Sequence, residues 1–81
     1  MTVEEIIQQL TPIFRSVLDN NEIVLHSSTS AKEVEEWDSL NHIQLVVAIE
    51  KHFKIRFNAS EIQGWQNVGE IANSISRRLS N

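Results

Sequence analysis

Glu36-Trp37-Asp38-Ser39-Leu40 is the stretch on which the reading turns, because it stands directly before the most apolar helical pattern in the chain. Asp38 is a preferred N-cap type, and beyond it Leu40, Ile43, Val46, Val47, Ile49 and Phe53 recur at helical spacing. The pattern predicts a helix from Ser39 to about Phe53, with Ser39 as its first residue. A hydroxyl there projects at the helix end rather than into its packed face, beside free backbone N–H groups and the positive end of the helix dipole. A phosphate joined to it would lie in a favourable field.

Upstream, Thr2 with Glu5 three residues on is a capping box, and Val3, Ile6, Ile7, Leu10, Ile13 or Phe14, Val17 and Leu18 keep one apolar stripe. This predicts an amphipathic first helix. Pro12 removes a backbone donor and crowds the carbonyl of Gln8, which predicts a kink, or a break with Thr11 recapping and Pro12 at N1. Asp19, Asn20 and Asn21 favour a turn, followed by a polar loop whose apolar anchors are Ile23, Val24 and Leu25. Ser30 with Glu33 predicts a second capping box, for a short turn that delivers Trp37 to the second helix.

Downstream, Ile55 and Phe57 alternate with Lys54 and Arg56, but one isolated strand has no partner, so this segment reads as an extended link. Asn58 with Glu61 caps a short third helix reaching about Gln63, and Gly64 suits its C′ position. Asn67 with Glu70 caps a last helix from Val68, with Ile71, Ala72, Ile75 and Leu79 on its stripe and Arg77 and Arg78 at the end that favours cations. Trp37 and Trp65 flank polar stretches, where a half-buried ring is expected.

Residues 1–81 read as a single all-α domain, and a chain of this size buries only about 60% of its unfolded surface, which leaves little room for an enzyme cleft. With 41% hydrophobic residues, two glycines and one proline, the composition is globular and helix-rich. The absence of cysteine removes disulfides and thiolate chemistry. His26, His42 and His52 share no ligand spacing, so no metal is expected; nor is there a G-x-S-x-G elbow to make Ser39 a nucleophile. The N-terminus lacks a basic, then apolar, leader pattern, and no stretch is long enough to enter a bilayer, so the expectation is a cytoplasmic chain with no membrane insertion. A net charge of −4 weighs against nucleic acid as a partner. From Met1 to Asp38 the acids Glu4, Glu5, Asp19, Glu22, Glu33, Glu35, Glu36 and Asp38 face only Arg15 and Lys32, so the approach to Ser39 is acidic.

Asp38-Ser39-Leu40 followed by this helix resembles the attachment site of the acyl carrier protein family, in which that serine carries 4′-phosphopantetheine. The tripeptide alone is a weak signal, and a lone helix-start serine is ordinarily structural. The order of elements and the chain length turn the reading, because the resemblance covers nearly the whole chain. It implies a four-helix bundle of acyl-carrier type, with a short third helix and a long loop between the first two. It also implies a non-catalytic carrier that holds acyl, hydroxyacyl, aminoacyl or polyketide units as thioesters on an arm at Ser39. A phosphopantetheinyl transferase would install the arm from coenzyme A, and acyl ligases, synthases or transferases would then use it.

Carried over by the same resemblance, Asp38 caps and orients the site, Leu40 anchors the helix start, and Trp37, Asn41, His42, Ile43, Gln44, Val47 and Glu50 are the partner-facing set. Asn41, Ile43, Gln44 and Val47 read as enzyme-facing or half-exposed. Trp37 either shields the arm or packs on the loop. His42, at i+3 from Ser39, reads as a solvated histidine, with contact to the attached phosphodiester as a narrower possibility. Ile49, Phe53, Phe57, Ile62 and Ile71 match positions that shelter the acyl chain, or are core alone. The family's fatty-acid carriers present acidic residues along the second helix, whereas this chain has Asn41, Gln44, Glu50 and Lys51 there. That departure points to a specialised rather than a housekeeping carrier, monomeric, with Glu33, Glu35 and Glu36 supplying the remaining steering. The rival reading is a small helical interaction domain that is never modified.

Overall fold

Thr2 Oγ1 accepts the Glu5 N–H at 3.1 Å while Glu5 Oε1 accepts the Thr2 N–H at 2.8 Å, so two orphan donors are satisfied where the first helix begins. The computed structural model describes residues 1–79, and its helices are α1 (Val3–Val17), α2 (Ser39–Phe53), α3 (Ala59–Gly64) and α4 (Val68–Leu79). The all-helical order is the one the sequence predicts. α1 packs against both α2 and α4, burying Ile6, Leu10 and Phe14 completely against Leu45 and Ile49 on one side and Val68, Ile71, Ala72 and Ile75 on the other.

Pro12 does not break α1. It lies on the exposed side of a continuous helix, where the carbonyl of exposed Gln8 loses its helical partner to solvent rather than to a dry core, and Thr11 Oγ1 donates to the Ile7 carbonyl at 3.0 Å instead of recapping. The long loop that follows is held at both ends of its run. Ile23 and Leu25 point inward but Val24 is 62% exposed, so the loop has two anchors here rather than three. The turn at Ser30 is closed by the Glu33 N–H on the Ser30 carbonyl at 3.0 Å, a backbone bond in place of the expected side-chain box.

The loop also caps α4. Thr29 and Ser27 offer their carbonyls to the N–H groups of Val68 and Gly69, each at 2.8 Å, and Asn67 Oδ1 accepts from Glu70 N–H at 2.9 Å. Gly69 is required by this approach, because a Cβ there would stand 2.9 Å from the Ser27 carbonyl oxygen.

α2 ends at Lys54, which adopts φ 58° in the left-handed region. Glu50 then organises the extended link: its carbonyl accepts from Ile55 N–H at 3.1 Å and its Oε2 from Phe57 N–H at 2.9 Å. Gly64 is the last residue of α3 rather than a left-handed C′ residue; the helix stops because Trp65 turns extended and its Nε1 donates to Ser74 Oγ on α4 at 2.9 Å. Arg78 ties α4 to α3 through Glu61 and lies 5.9 Å above the Phe57 ring.

Candidate functional site

Ser39 sits at N1 of α2, exposed, because Asp38 stops the preceding turn in an extended conformation and caps the helix. Asp38 Oδ1 accepts from Asn41 N–H at 2.8 Å, and its carbonyl takes the first helical bond, from His42 N–H, also at 2.8 Å. Asn41 in turn donates through Nδ2 to the Glu36 carbonyl at 2.8 Å, which fixes the chain entering the helix. The first two N–H groups of α2, those of Ser39 and Leu40, precede any helical acceptor and face the same end as the Ser39 hydroxyl. Among the described residues the hydroxyl itself makes no hydrogen bond. Substituting its oxygen therefore breaks nothing in the fold.

A groove of about 500 Å³ opens beside Ser39. Trp37, His42, Ile43 and Ile62 line it together with Ala31 and Gln63. Two of these residues are tied into the fold. Trp37 is only 6% exposed, meets Phe14 edge-on at 5.1 Å, and donates from Nε1 to His42 Nδ1 at 2.9 Å. Since Nδ1 is the acceptor, Nε2 carries the proton and faces the Ile62 carbonyl at 3.3 Å. Both ring nitrogens are thus engaged between the loop, α2 and α3. His42 is a half-buried bridge, not a solvated side chain, and has no free nitrogen for a phosphodiester. Trp37 packs inward, so it lines the groove but is withdrawn from the partner-facing set.

Two further expectations change. Leu40 does not anchor the helix start: it is 71% exposed and points away from the core. Glu50 is half-buried, and its carboxylate holds the Phe57 amide instead of standing free for a partner. Of the proposed acyl-sheltering set, Ile49 and Ile71 are each 1% exposed in the packed core, and Phe53 and Phe57 are packed against it, while Ile62 lines the groove at Ser39. Ile43, Gln44 and Val47 are exposed and Asn41 half-buried. Ala31 and Gln63 had no signal in the sequence, because loop and α3 meet only in the folded chain.

A phosphodiester on Ser39 Oγ would meet the α2 N-terminus, an interaction worth about 0.3–1 kcal/mol at an exposed helix end. Two titratable groups close to Ser39 in sequence are committed elsewhere: His42 is engaged at both ring nitrogens and Asp38 is held as the cap. Among the described residues no three His, Cys, Asp or Glu side chains gather into a metal site, and no helix is long and apolar enough to cross a membrane.

Residues 8–75 match the family model described as phosphopantetheine attachment site. A solution structure of holo acyl carrier protein from Geobacter metallireducens is 44% identical over 91% of this chain and 85% of its own, with a TM-score of 0.86. A Mycobacterium tuberculosis chain assigned as an acyl carrier protein superposes with a TM-score of 0.74 over 94% of this chain and 97% of its own, at 21% identity, and so shares the fold. The comparison with curated proteins gives no match. With the attachment-site model spanning most of α1 through α4 and a holo carrier so similar in sequence and shape, this chain belongs to the acyl carrier protein family.

Proposed function

We propose that Ser39 is the attachment point of the 4′-phosphopantetheine arm and that α2, running from it, is the face presented to the enzymes that use the arm. The observation that carries this reading is the Ser39 hydroxyl itself, exposed at the first residue of α2 and free of any internal hydrogen bond among the described residues. As an acyl carrier protein the chain is a carrier and not an enzyme; the arm, when bound, supplies the thiol on which acyl groups are held as thioesters. In the installing step the Ser39 Oγ–P bond forms, the pyrophosphate P–O bond of coenzyme A breaks, and adenosine 3′,5′-bisphosphate leaves. The proton on Oγ goes to a base of the phosphopantetheinyl transferase, because His42 and Asp38 are committed to structure.

Within this reading Asp38 orients the site, Ile43 and Ile62 flank the arm's exit, and Asn41, Gln44 and Val47 are covered by the docked enzyme. The near-neutral α2 supports a specialised carrier, for hydroxyacyl, aminoacyl or polyketide units, over one for housekeeping fatty-acid synthesis. A monomer acting in the cytoplasm is in keeping with the acidic charge of the chain.

The test is intact-protein mass after incubation with coenzyme A, magnesium and a broad-specificity transferase. Wild type gains one phosphopantetheine unit and Ser39→Ala gains none. A folded wild type that never gains it with several transferases, or a Ser39→Ala variant that does, overturns the assignment.

A further inference from the structure

The exposed side of α2 changes character along its length. At 100° per residue Leu40, Ile43, Gln44, Val47 and Lys51 share one stripe about 100° wide, and Leu40, Ile43 and Val47 on it are 71%, 57% and 45% exposed. Before the stripe, at the Ser39 end, Glu35 and Asp38 are exposed; after it come the exposed cations Lys51, Lys54 and Arg56. These cations and the half-buried Ile55 line a groove of about 410 Å³ that continues from Val47. None of the three is in an ion pair among the described residues, and the carboxylate in that groove, Glu50, already holds the Phe57 amide.

We propose that this stripe is a docking face with a basic far end, fitted to a partner enzyme that covers Leu40, Ile43 and Val47 with an apolar pocket and meets Lys51, Lys54 and Arg56 with an acidic patch. The proposal rests on Ser39 as the arm's attachment point, which sets the near end. Lys51 lies twelve helical steps from Ser39, so the patch lies about 18 Å from the partner's active-site entrance. The helix dipole accounts for cations at Lys51 and Lys54 but not for Arg56, which lies beyond the helix in the extended link. Nor does the backbone select Lys54, whose φ of 58° favours glycine or asparagine. In a chain of net charge −4 the basic groove is a local reversal, and it gives the face an acidic-to-basic direction. A bilayer or a nucleic acid is anionic throughout and would be repelled at Glu35 and Asp38. A protein surface alternates, and an enzyme acting on the arm has to lie along this face.

The test pairs a broad-specificity phosphopantetheinyl transferase with its own variant, in which three surface residues about 18 Å from the active-site entrance, on the side that covers α2, are changed to glutamate. The wild-type carrier gains in kcat/KM with the glutamate variant, on the order of tenfold at low salt, and the gain fades as salt rises. The carriers Lys51→Glu/Lys54→Glu/Arg56→Glu and Lys51→Gln/Lys54→Gln/Arg56→Gln lose it, the first reversing the preference. Equal response of all three carriers, with Ser39 modified in each, overturns the docking face and leaves the attachment site standing. No modification by either enzyme overturns the attachment site and the docking face together. Co-flotation of wild type with phosphatidylserine vesicles, abolished in the glutamate carrier, would make a membrane the occupant and also overturn the proposal.

Discussion

His42 joins three parts of the molecule through one imidazole: the Trp37 indole from the loop, its own helix α2, and the Ile62 carbonyl from α3. Replacing it with leucine leaves the buried indole N–H without an acceptor, and the expected loss is about 1–3 kcal/mol of stability, read as a lower urea midpoint with the slope unchanged. A midpoint equal to wild type would mean that water replaces His42 at Nε1. The need for a partner was legible in the sequence, since an inward Trp rarely goes without an acceptor. Which residue supplies it was not, because the i+5 spacing from Trp37 to His42 spans the start of a helix and has no simple periodic reading. Lys54 makes the opposite case. Lys54→Gly relieves a left-handed non-glycine residue and is expected to raise stability by about 1 kcal/mol in thermal unfolding, while weakening the basic end of the docking face. A loss of stability instead would show that the lysine's charge at the helix end outweighs its backbone strain.

At the scale of elements, the four helices were legible because each carries a start signal and the three longer ones an apolar period, and the capping boxes at Thr2 and Asn58 form as the spacing predicts. The outward face of α2 came from the family resemblance, which put Ile43, Gln44 and Val47 outside, and not from periodicity. Leu40, Ile43 and Val47 point outward while Leu45, Val46 and Ile49 point inward, so apolar residues occupy both sides and helical periodicity alone does not choose between them. The boundary of α3 failed for a similar reason: Gly64 suits a left-handed cap, but the pull of Trp65 toward Ser74 ends the helix by another route. The α1 cap yields a pH prediction. The Thr2 backbone N–H, and then its hydroxyl, hold the Glu5 carboxyl below its usual value of 4.5. Because the folded state favours the charged form, the contribution of Glu5 is present above that usual value and is lost as pH falls through the lower folded one. Urea unfolding of wild type and Glu5→Gln across the acid range should show a wild-type advantage at neutral pH that fades on acidification. A difference that stays constant through that range would contradict the box as its source.

For the whole molecule, the loop between α1 and α2 does two things at once: it caps α4 through Ser27 and Thr29, and it delivers Trp37 to the groove that Ser39 also lines. The sequence showed a polar segment with apolar anchors but gave no sign of the α4 contact, which depends on Gly69, a single residue remote from the loop in sequence. Gly69→Ala forces a Cβ against the Ser27 carbonyl, and the expected cost is about 1–3 kcal/mol, together with faster amide exchange at residue 69 and at Val68. Unchanged exchange at both would show that the loop adjusts without releasing α4. All of this scaffolding converges on one exposed hydroxyl among several in the described residues, including Ser16, Ser27, Ser28 and Ser60. The most direct test of the account is therefore to digest the transferase-modified protein and locate the arm by fragmentation mass spectrometry. The account predicts phosphopantetheine on Ser39 alone; an arm on any other serine, with Ser39 unmodified, would contradict it.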